Sequence, residues 1–387
     1  MRVLRFIRRL VIVAVVLIVV VAVAAVLWLL THRDEARTWR QVTAIGAELT
    51  DLGAVDRIGE ALAADTKSAR TVQVGELPAT LVTPDDGAST HPAMVLLVPE
   101  GTNGAEERRV RDVQHALAGA RIAAWAVRVP GNDDALVDPT AYPRLERALS
   151  AIAAHESTRD RRLSVLAIGP TASLVLVAAT SGPIAKDLQA IVAVQPVADV
   201  RGLVALATTG AFVDASGRER RIETTPELRS SAARAVLQAV RQELPDGGPV
   251  LDKLLDAAEA SPDPLAALEV LPEDVAGPEL QPILAVLRTD TPAAFDTAWD
   301  QLPKGFRDAA QERSPLPVAS RVRARVLVVE ATDDEWARSD VRRLAETLPD
   351  ARTLELQAKD PGALVDDAAA IRDVLSVSEW WLRRAGA

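Results

Sequence analysis

The sequence contains no cysteine, only four histidines and 3% aromatic residues in a chain of 387 residues. The lack of cysteine excludes disulfides, thiol nucleophiles, iron–sulfur clusters and cysteine-ligated zinc. Four histidines leave few candidates for a general base or a metal ligand. The rest of the composition, 49% hydrophobic and 25% charged, is that of a globular protein. The length fits one large domain with an insertion, or two domains.

One long run without charge, residues 10–30, consists almost entirely of Val, Leu, Ile and Ala. As a helix it would be about 31 Å long, which matches the hydrocarbon thickness of a bilayer. Its length and flanks favour a transmembrane helix over a buried helix of a soluble protein. Four arginines crowd residues 1–9, whereas the charges that follow Leu30 nearly cancel. The positive-inside rule therefore predicts a cytoplasmic basic tail at 1–9 and a large extracytoplasmic C-terminal part in the cytoplasmic membrane.

Cleavage of this segment is the alternative interpretation, since Ala22-Val23-Ala24 resembles a signal-peptidase site. Apolar residues continue to Leu30, which favours an uncleaved single-pass signal anchor. The formal net charge is −10, and removing the four arginines of the tail leaves about −14 for the translocated part. A nucleic-acid partner is not expected, because binding to phosphates requires a basic face.

Residues 31–70 form a predicted juxtamembrane helical linker, in which apolar side chains recur at steps of three and four over 38–64. Two interpretations stay open here. The helix packs on the following domain, or it mediates self-association or binds a protein partner near the membrane.

From Thr71 onward, short apolar runs alternate with helical patterns. This alternation predicts a mostly parallel sheet with helices on both faces. The predicted strands are 71–74, 79–82, 93–98, 122–129, 163–168, 190–194, 325–329 and 353–356, and the predicted helices are 105–119, 139–155, 172–180, 339–348 and 363–384. Between the two halves, residues 201–315 are rich in Ala, Leu, Glu and Pro, and they predict a helical insertion.

Four segments in this order resemble the α/β-hydrolase fold with a cap domain. They are the strand 93–98 followed by Pro99-Glu100-Gly101, the unit 117–131 that ends in Pro130-Gly131, the run Ile168-Gly169-Pro170-Thr171-Ala172-Ser173, and the strand 325–329 followed by Asp333-Asp334. The resemblance implies a core made of 71–200 and 316–387, with 201–315 as the cap.

The resemblance also implies positions for a catalytic triad. The third segment stands where the family has G-x-S-x-G, so Thr171 takes the nucleophile position and Ser173 replaces the second glycine. Asp334 takes the position of the acid, for which Asp199 is an alternative. Asp360 stands where the family carries its histidine. Gly101 and Thr102 correspond to the loop that supplies oxyanion donors.

The sequence offers no histidine for the role of general base, and this determines the catalytic activity that we expect. None of the four histidines (His32, His91, His115, His155) is expected on a loop at the carboxyl edge of the sheet. Without a proton acceptor, a threonine hydroxyl stays protonated. No nucleotide motif occurs and the acidic pairs are scattered, so we expect no cofactor and no bound metal.

Three functions remain open on the sequence alone. The first is an inactive, membrane-anchored hydrolase-like protein with a binding or scaffolding role outside the membrane, which could take a small molecule in a pocket between cap and sheet. The second is an active esterase or peptidase-like hydrolase with a non-standard site. The third is a structural domain that oligomerises through 38–64.

Overall fold

The computed structural model of the protein describes residues 64–99, 104–129, 141–225, 229, 236, 280–330, 335–355 and 379–380. The predicted tail 1–9, the predicted span 10–30 and all but the last residue of the predicted helix 38–64 lie outside these ranges. Of the predicted final helix, only Glu379 and Trp380 are described, and both are helical. Among the described helices, none combines the length and the hydropathy needed to cross a bilayer.

Eight strands form one sheet: β1 (Arg70–Val74), β2 (Leu77–Val82), β3 (His91–Pro99), β4 (Ala123–Val129), β5 (Thr158–Ile168), β6 (Leu188–Val194), β9 (Arg325–Glu330) and β10 (Ala351–Glu355). Their order across the sheet is β1-β2-β4-β3-β5-β6-β9-β10. β2 runs antiparallel to its neighbours β1 and β4, and all other neighbours are parallel. The predicted, mostly parallel sheet is thus confirmed, and each strand lies where an apolar run predicted one.

Helices cover both faces of the sheet, which explains why the strands are apolar throughout. Along β3, Ala93, Val95 and Leu97 belong to one buried cluster, and the alternate residues 94, 96 and 98 belong to another. The first cluster includes residues of α2 (Ala141–Ala153), α3 (Gly169–Ala178) and α8 (Glu335–Thr347). The second includes α1 (Gly104–Gly119) and Trp380.

The segment after β6 has a hydrophobic cluster of its own, separate from the two that flank the sheet. It joins α4 (Val200–Thr209) to α5 (Gln281–Leu287), α6 (Pro292–Asp300) and α7 (Lys304–Glu312). Within it, the rings of Phe295 and Trp299 pack at a tilt, and those of Trp299 and Phe306 pack edge to face. The helical pattern predicted there is therefore matched by the described helices.

A short hairpin, β7 (Ala211–Val213) and β8 (Glu219–Arg221), also lies in this segment, and the helical pattern did not predict it. Gly210 ends α4 in the left-handed conformation, at φ +69°. The carboxylate of Asp214 then holds the turn by accepting the backbone N–H groups of Ser216 and Arg218. These local hydrogen bonds compete with helix, and here they decide the structure.

Candidate functional site

The carboxyl ends of the parallel strands are where a doubly covered sheet assembles its sites, and here β5 turns into α3 at this edge. Ile168, the last residue of β5, is extended at φ −122° and ψ 143°. Gly169 follows with φ +58° and begins the helix. Such a conformation is costly for a residue with a Cβ, so glycine suits the turn.

This geometry differs by two residues from the alignment that the sequence suggested. The alignment put Thr171 at the turn and started the helix at 172, whereas the turn is made by Gly169 and Thr171 lies within α3. Pro170 explains the early start, because its fixed φ suits the first helical turn and it has no N–H to leave unpaired. The Thr171 side chain is buried, at 3% exposure.

Ser173 is also buried, and its hydroxyl is fully engaged. Its Oγ donates to the carbonyl of Val197 at 2.8 Å and accepts from the Val197 N–H at 2.9 Å. The side chain therefore fastens α3 to the connection that follows β6. With the turn at Gly169, Ser173 lies four residues after it along the chain and makes a structural contact.

The three described histidines lie toward the opposite, amino edge of the sheet. His91 is the first residue of β3, five residues before Leu96, and Leu96 pairs with Leu166, three residues before Gly169. These eight steps separate His91 from the turn by roughly 26 Å at about 3.3 Å per residue. His115 and His155 bond the hydroxyls of Thr66 and Ser157.

The predicted acid Asp334, the residue at the histidine position, Asp360, and the oxyanion loop residues Gly101 and Thr102 all lie outside the described residues. The described chain nonetheless has a buried acid close by, Glu330 at the end of β9, which is 2% exposed. Arg342 of α8 binds both of its oxygens, at 3.1 and 3.3 Å, and this pairing raises the pKa of the Arg342 guanidinium. Nε of Arg338 lies 3.5 Å from Oε2, so two arginines of α8 pair with Glu330, and the Arg342 pair is bidentate.

A second buried acid, Asp340 of α8, was also missed from the sequence. Its Oδ2 accepts the N–H of Ala198 at 2.7 Å, on the connection between β6 and α4. Burial, with a smaller contribution from the nearby Asp199 carboxylate, raises the pKa of Asp340 to about 7. The same connection is held by Ser314, whose Oγ accepts the N–H of Val200 at 3.0 Å. The side chains of Asp340 and Ser314 therefore both hold the backbone where the insertion begins.

A cavity of about 400 Å³ opens at the base of the insertion. It is lined by residues of α4, α6 and α7 and of the connections on either side, among them Asp199, Arg201, Trp299, Arg307 and Ser314. The guanidinium of Arg201 also stacks on the rings of Phe295 and Trp299, at 5.5 and 6.0 Å from their centroids. Its lining residues come from the insertion and its connections and not from the strands, so the ligand pocket predicted between cap and sheet stays a prediction.

No protein-family model matches the chain, and no curated protein matches it either. Solved structures that resemble it include a thermostable esterase from Pseudomonas putida, with 15% identity over 84% of this chain and 81% of that one and a TM-score of 0.42. Carboxyl esterase 2 from the fungus Tuber melanosporum has 14% identity over 83% and 86%, with a TM-score of 0.45. An alpha/beta hydrolase from Sphaerobacter thermophilus has 16% identity over 80% and 100%, with a TM-score of 0.40.

The order and the directions of the strands define the fold. Numbered along the sheet-forming strands alone, the spatial order is 1-2-4-3-5-6-7-8, and only the second strand runs antiparallel. A helix follows the fifth strand after a turn at positive φ, and an insertion follows the sixth. The chain therefore has the α/β-hydrolase-like fold that its sequence resembles.

Proposed function

We propose that this protein is a membrane-anchored α/β-hydrolase-like protein without triad chemistry, which acts by binding or scaffolding outside the cytoplasmic membrane. The observation that carries the proposal is the pair Gly169-Pro170 at the turn between β5 and α3. In an active hydrolase of this fold, the residue at that turn is the nucleophile, and the next residue donates its backbone N–H to the oxyanion. Glycine has no side chain to attack a carbonyl, and proline has no N–H to donate.

The positions of the histidines also support the proposal. A nucleophilic hydroxyl needs a base within about 3 Å, or one water away. His91 is roughly 26 Å from the turn at about 3.3 Å per residue, and His115 and His155 bond other hydroxyls. The described histidines are thus engaged in contacts away from the turn.

Support for the anchor comes from the sequence alone. Residues 10–30 are long and apolar enough to span a bilayer, and the arginines before them favour a cytoplasmic N-terminus. Support for a binding role comes from the cavity at the base of the insertion, whose volume of about 400 Å³ is within the range of small-molecule sites.

The proposal is tested by a fluorophosphonate probe and a p-nitrophenyl ester on the full chain in nonionic detergent. We expect no labelling, and ester hydrolysis equal to that of Thr171→Val, which removes the hydroxyl but keeps the shape of the side chain. Thr347→Val, on an exposed threonine of α8, is the matched control for the substitution itself. Labelling of Thr171, abolished by Thr171→Val only, would establish the alternative, an active esterase.

A second experiment tests the proposed membrane anchor and its orientation. The full chain should stay with the membrane fraction after carbonate extraction, and protease added to intact cells from outside should degrade the part after residue 31. Release of the chain by carbonate, or protection of that part from protease, would contradict the anchor or its orientation.

A further inference from the structure

The amino edge of the sheet carries an excess of positive charge where β5, β6 and β9 begin. We call the segments 158–162, 186–187 and 323–325 the basic edge. They contain six cationic and two acidic residues, in a chain whose formal net charge is −10. The cations are Arg159, Arg161, Arg162, Lys186, Arg323 and Arg325. Because β5 pairs with β6 and β6 pairs with β9, the three strand starts are neighbours and their charges form one patch.

Three of these cations are not used inside the domain. Arg162, Lys186 and Arg323 are exposed, and they make no ion pair with any residue that the structure describes. Arg325 differs, since its guanidinium lies 3.6 Å from a carboxylate oxygen of Asp350. The three exposed cations add little to the stability of the fold, and their charge is directed to the surroundings of the protein.

The start of β5 is built as a bulge that exposes charged side chains. Asp160 and Arg161 have φ angles of +53° and +58°, which are costly for residues with a Cβ. The pairing of β5 with β3 and with β6 shifts register close to this point. Residues 160–162 are all exposed there, and Arg161 lies 3.2 Å from Asp187 at the start of β6. Bulges commonly serve to re-aim side chains, and this one presents arginines at the edge of the sheet.

The described chain enters the domain at the same edge. The N–H of Ala64 donates to the carbonyl of Gly119 at the end of α1, and the N–H of Lys67 donates to the carbonyl of Thr83, just after β2. From β4, which follows α1, to β6 there are three strand spacings, roughly 14 Å at about 4.8 Å each. Residues 10–30, the predicted anchor, precede Ala64, so the anchor is joined to the domain on the side of the basic edge.

The insertion lies at the opposite end of the strands. α4 follows the carboxyl end of β6, and Glu335, which begins α8 after β9, acts electrostatically on Arg220 of the hairpin. The seven residues of β6 separate the two edges by roughly 23 Å at about 3.3 Å per residue. A surface that meets the basic edge is therefore remote from the hairpin.

From this placement we propose that the basic edge docks on anionic phospholipid headgroups of the membrane that holds the anchor, with the insertion turned away from the bilayer. The inference rests on the proposed anchor. Each cation near an anionic membrane surface strengthens binding about fivefold, so three of them favour the docked domain about a hundredfold. Because the anchor keeps the domain close to the bilayer, this preference is sufficient to orient it.

The test uses the full chain in two kinds of vesicle, phosphatidylcholine alone and phosphatidylcholine mixed with phosphatidylglycerol. Because the chain has no cysteine, one fluorophore can be attached at Ser320→Cys, three residues before Arg323, or at Ala215→Cys on the hairpin, both exposed positions. Energy transfer to a lipid labelled on its headgroup reports the distance from the bilayer. In anionic vesicles we expect stronger transfer from Ser320→Cys than from Ala215→Cys, and a smaller difference in neutral vesicles or at high salt.

The triple variant Arg162→Gln/Lys186→Gln/Arg323→Gln removes the three exposed charges. In anionic vesicles it should lower the ratio of docked to undocked domain about a hundredfold, which brings the transfer from position 320 to its level in neutral vesicles. All three side chains are exposed, so the fold should tolerate their replacement.

The matched control is Arg108→Gln/Arg109→Gln/Arg111→Gln, which removes the same charge from exposed arginines of α1. It should give the same transfer as the wild type. The docking is overturned if the transfer from position 320 is equal in neutral and anionic vesicles, or if the triple variant of the basic edge behaves like this control.

Flotation of the same vesicles distinguishes failure of the docking from failure of the anchor. A chain that floats with both kinds of vesicle, but shows equal transfer from the two labels, keeps the anchor and overturns the docking. A chain that floats with anionic vesicles alone supports the docking and contradicts the anchor. Flotation with neither kind overturns both.

Discussion

Replacing Asp340 by asparagine should stabilise the protein at about pH 8 and change its stability little at about pH 4. Asp340 is 4% exposed, and burial raises the pKa of its carboxyl to about 7. An exposed aspartate in the unfolded chain has a pKa of about 3.9. Because the folded state holds the proton more tightly, its stability is fully present below about pH 4 and is lost as the pH rises to about 7.

The size of the expected change in unfolding free energy follows from the difference between the pKa of Asp340 in the folded and in the unfolded chain. Three pKa units at about 1.36 kcal/mol each amount to about 4 kcal/mol of unfolding free energy lost between about pH 4 and pH 8. Asparagine keeps an oxygen that can accept the N–H of Ala198 and carries no charge at any pH. The variant should therefore lack this loss, while the charges nearest the site, Asp199 and Arg343, are unchanged.

Urea unfolding followed by tryptophan fluorescence, at several pH values, measures this difference. Asp112→Asn, on an exposed aspartate of α1, is the matched control and should follow the wild type at every pH. The reasoning is refuted if Asp340→Asn loses stability with pH as the wild type does, or if it is less stable than the wild type at about pH 8.

Three further substitutions test the contacts around the carboxyl edge, each by the midpoint of urea unfolding. Ser173→Ala should cost about 2 kcal/mol, because the partly buried N–H and carbonyl of Val197 lose their partner; an unchanged midpoint would contradict this. Glu330→Gln should cost about 1–3 kcal/mol by removing the ion pairs with Arg342 and Arg338, and equal stability would show that these pairs contribute nothing. Gly169→Ala should cost about 1–2 kcal/mol through its positive φ, and a gain in stability would argue against the turn described.

The strands were predictable because apolar runs are a local property of the chain. β3 was expected at 93–98 and spans His91–Pro99. β5 was expected at 163–168, but it begins at Thr158, and its first residues are mostly charged. Asp160 and Arg161 have positive φ there, where the register with β3 shifts. The charged side chains are exposed, so hydrophobicity did not reveal this part of the strand.

The residue at which the chain turns from β5 into α3 was less predictable. The pattern G-x-S-x-G matches Gly169 to its first glycine, which moves the nucleophile position to Thr171. The backbone puts the turn at Gly169 itself. Pro170 was the available signal, because proline favours the first turn of a helix.

The sequence by itself determined the alternation of strands and helices, the missing thiols and the scarcity of histidine, since each depends only on composition or on nearby residues. Only the tertiary structure decided which partners these residues have. Asp340 meets Ala198 across 142 positions of the chain, and the buried Nδ1 of His91 has no hydrogen-bond partner among the described residues. Such contacts depend on how helices pack against the sheet, and periodicity along the chain carries no information about that packing.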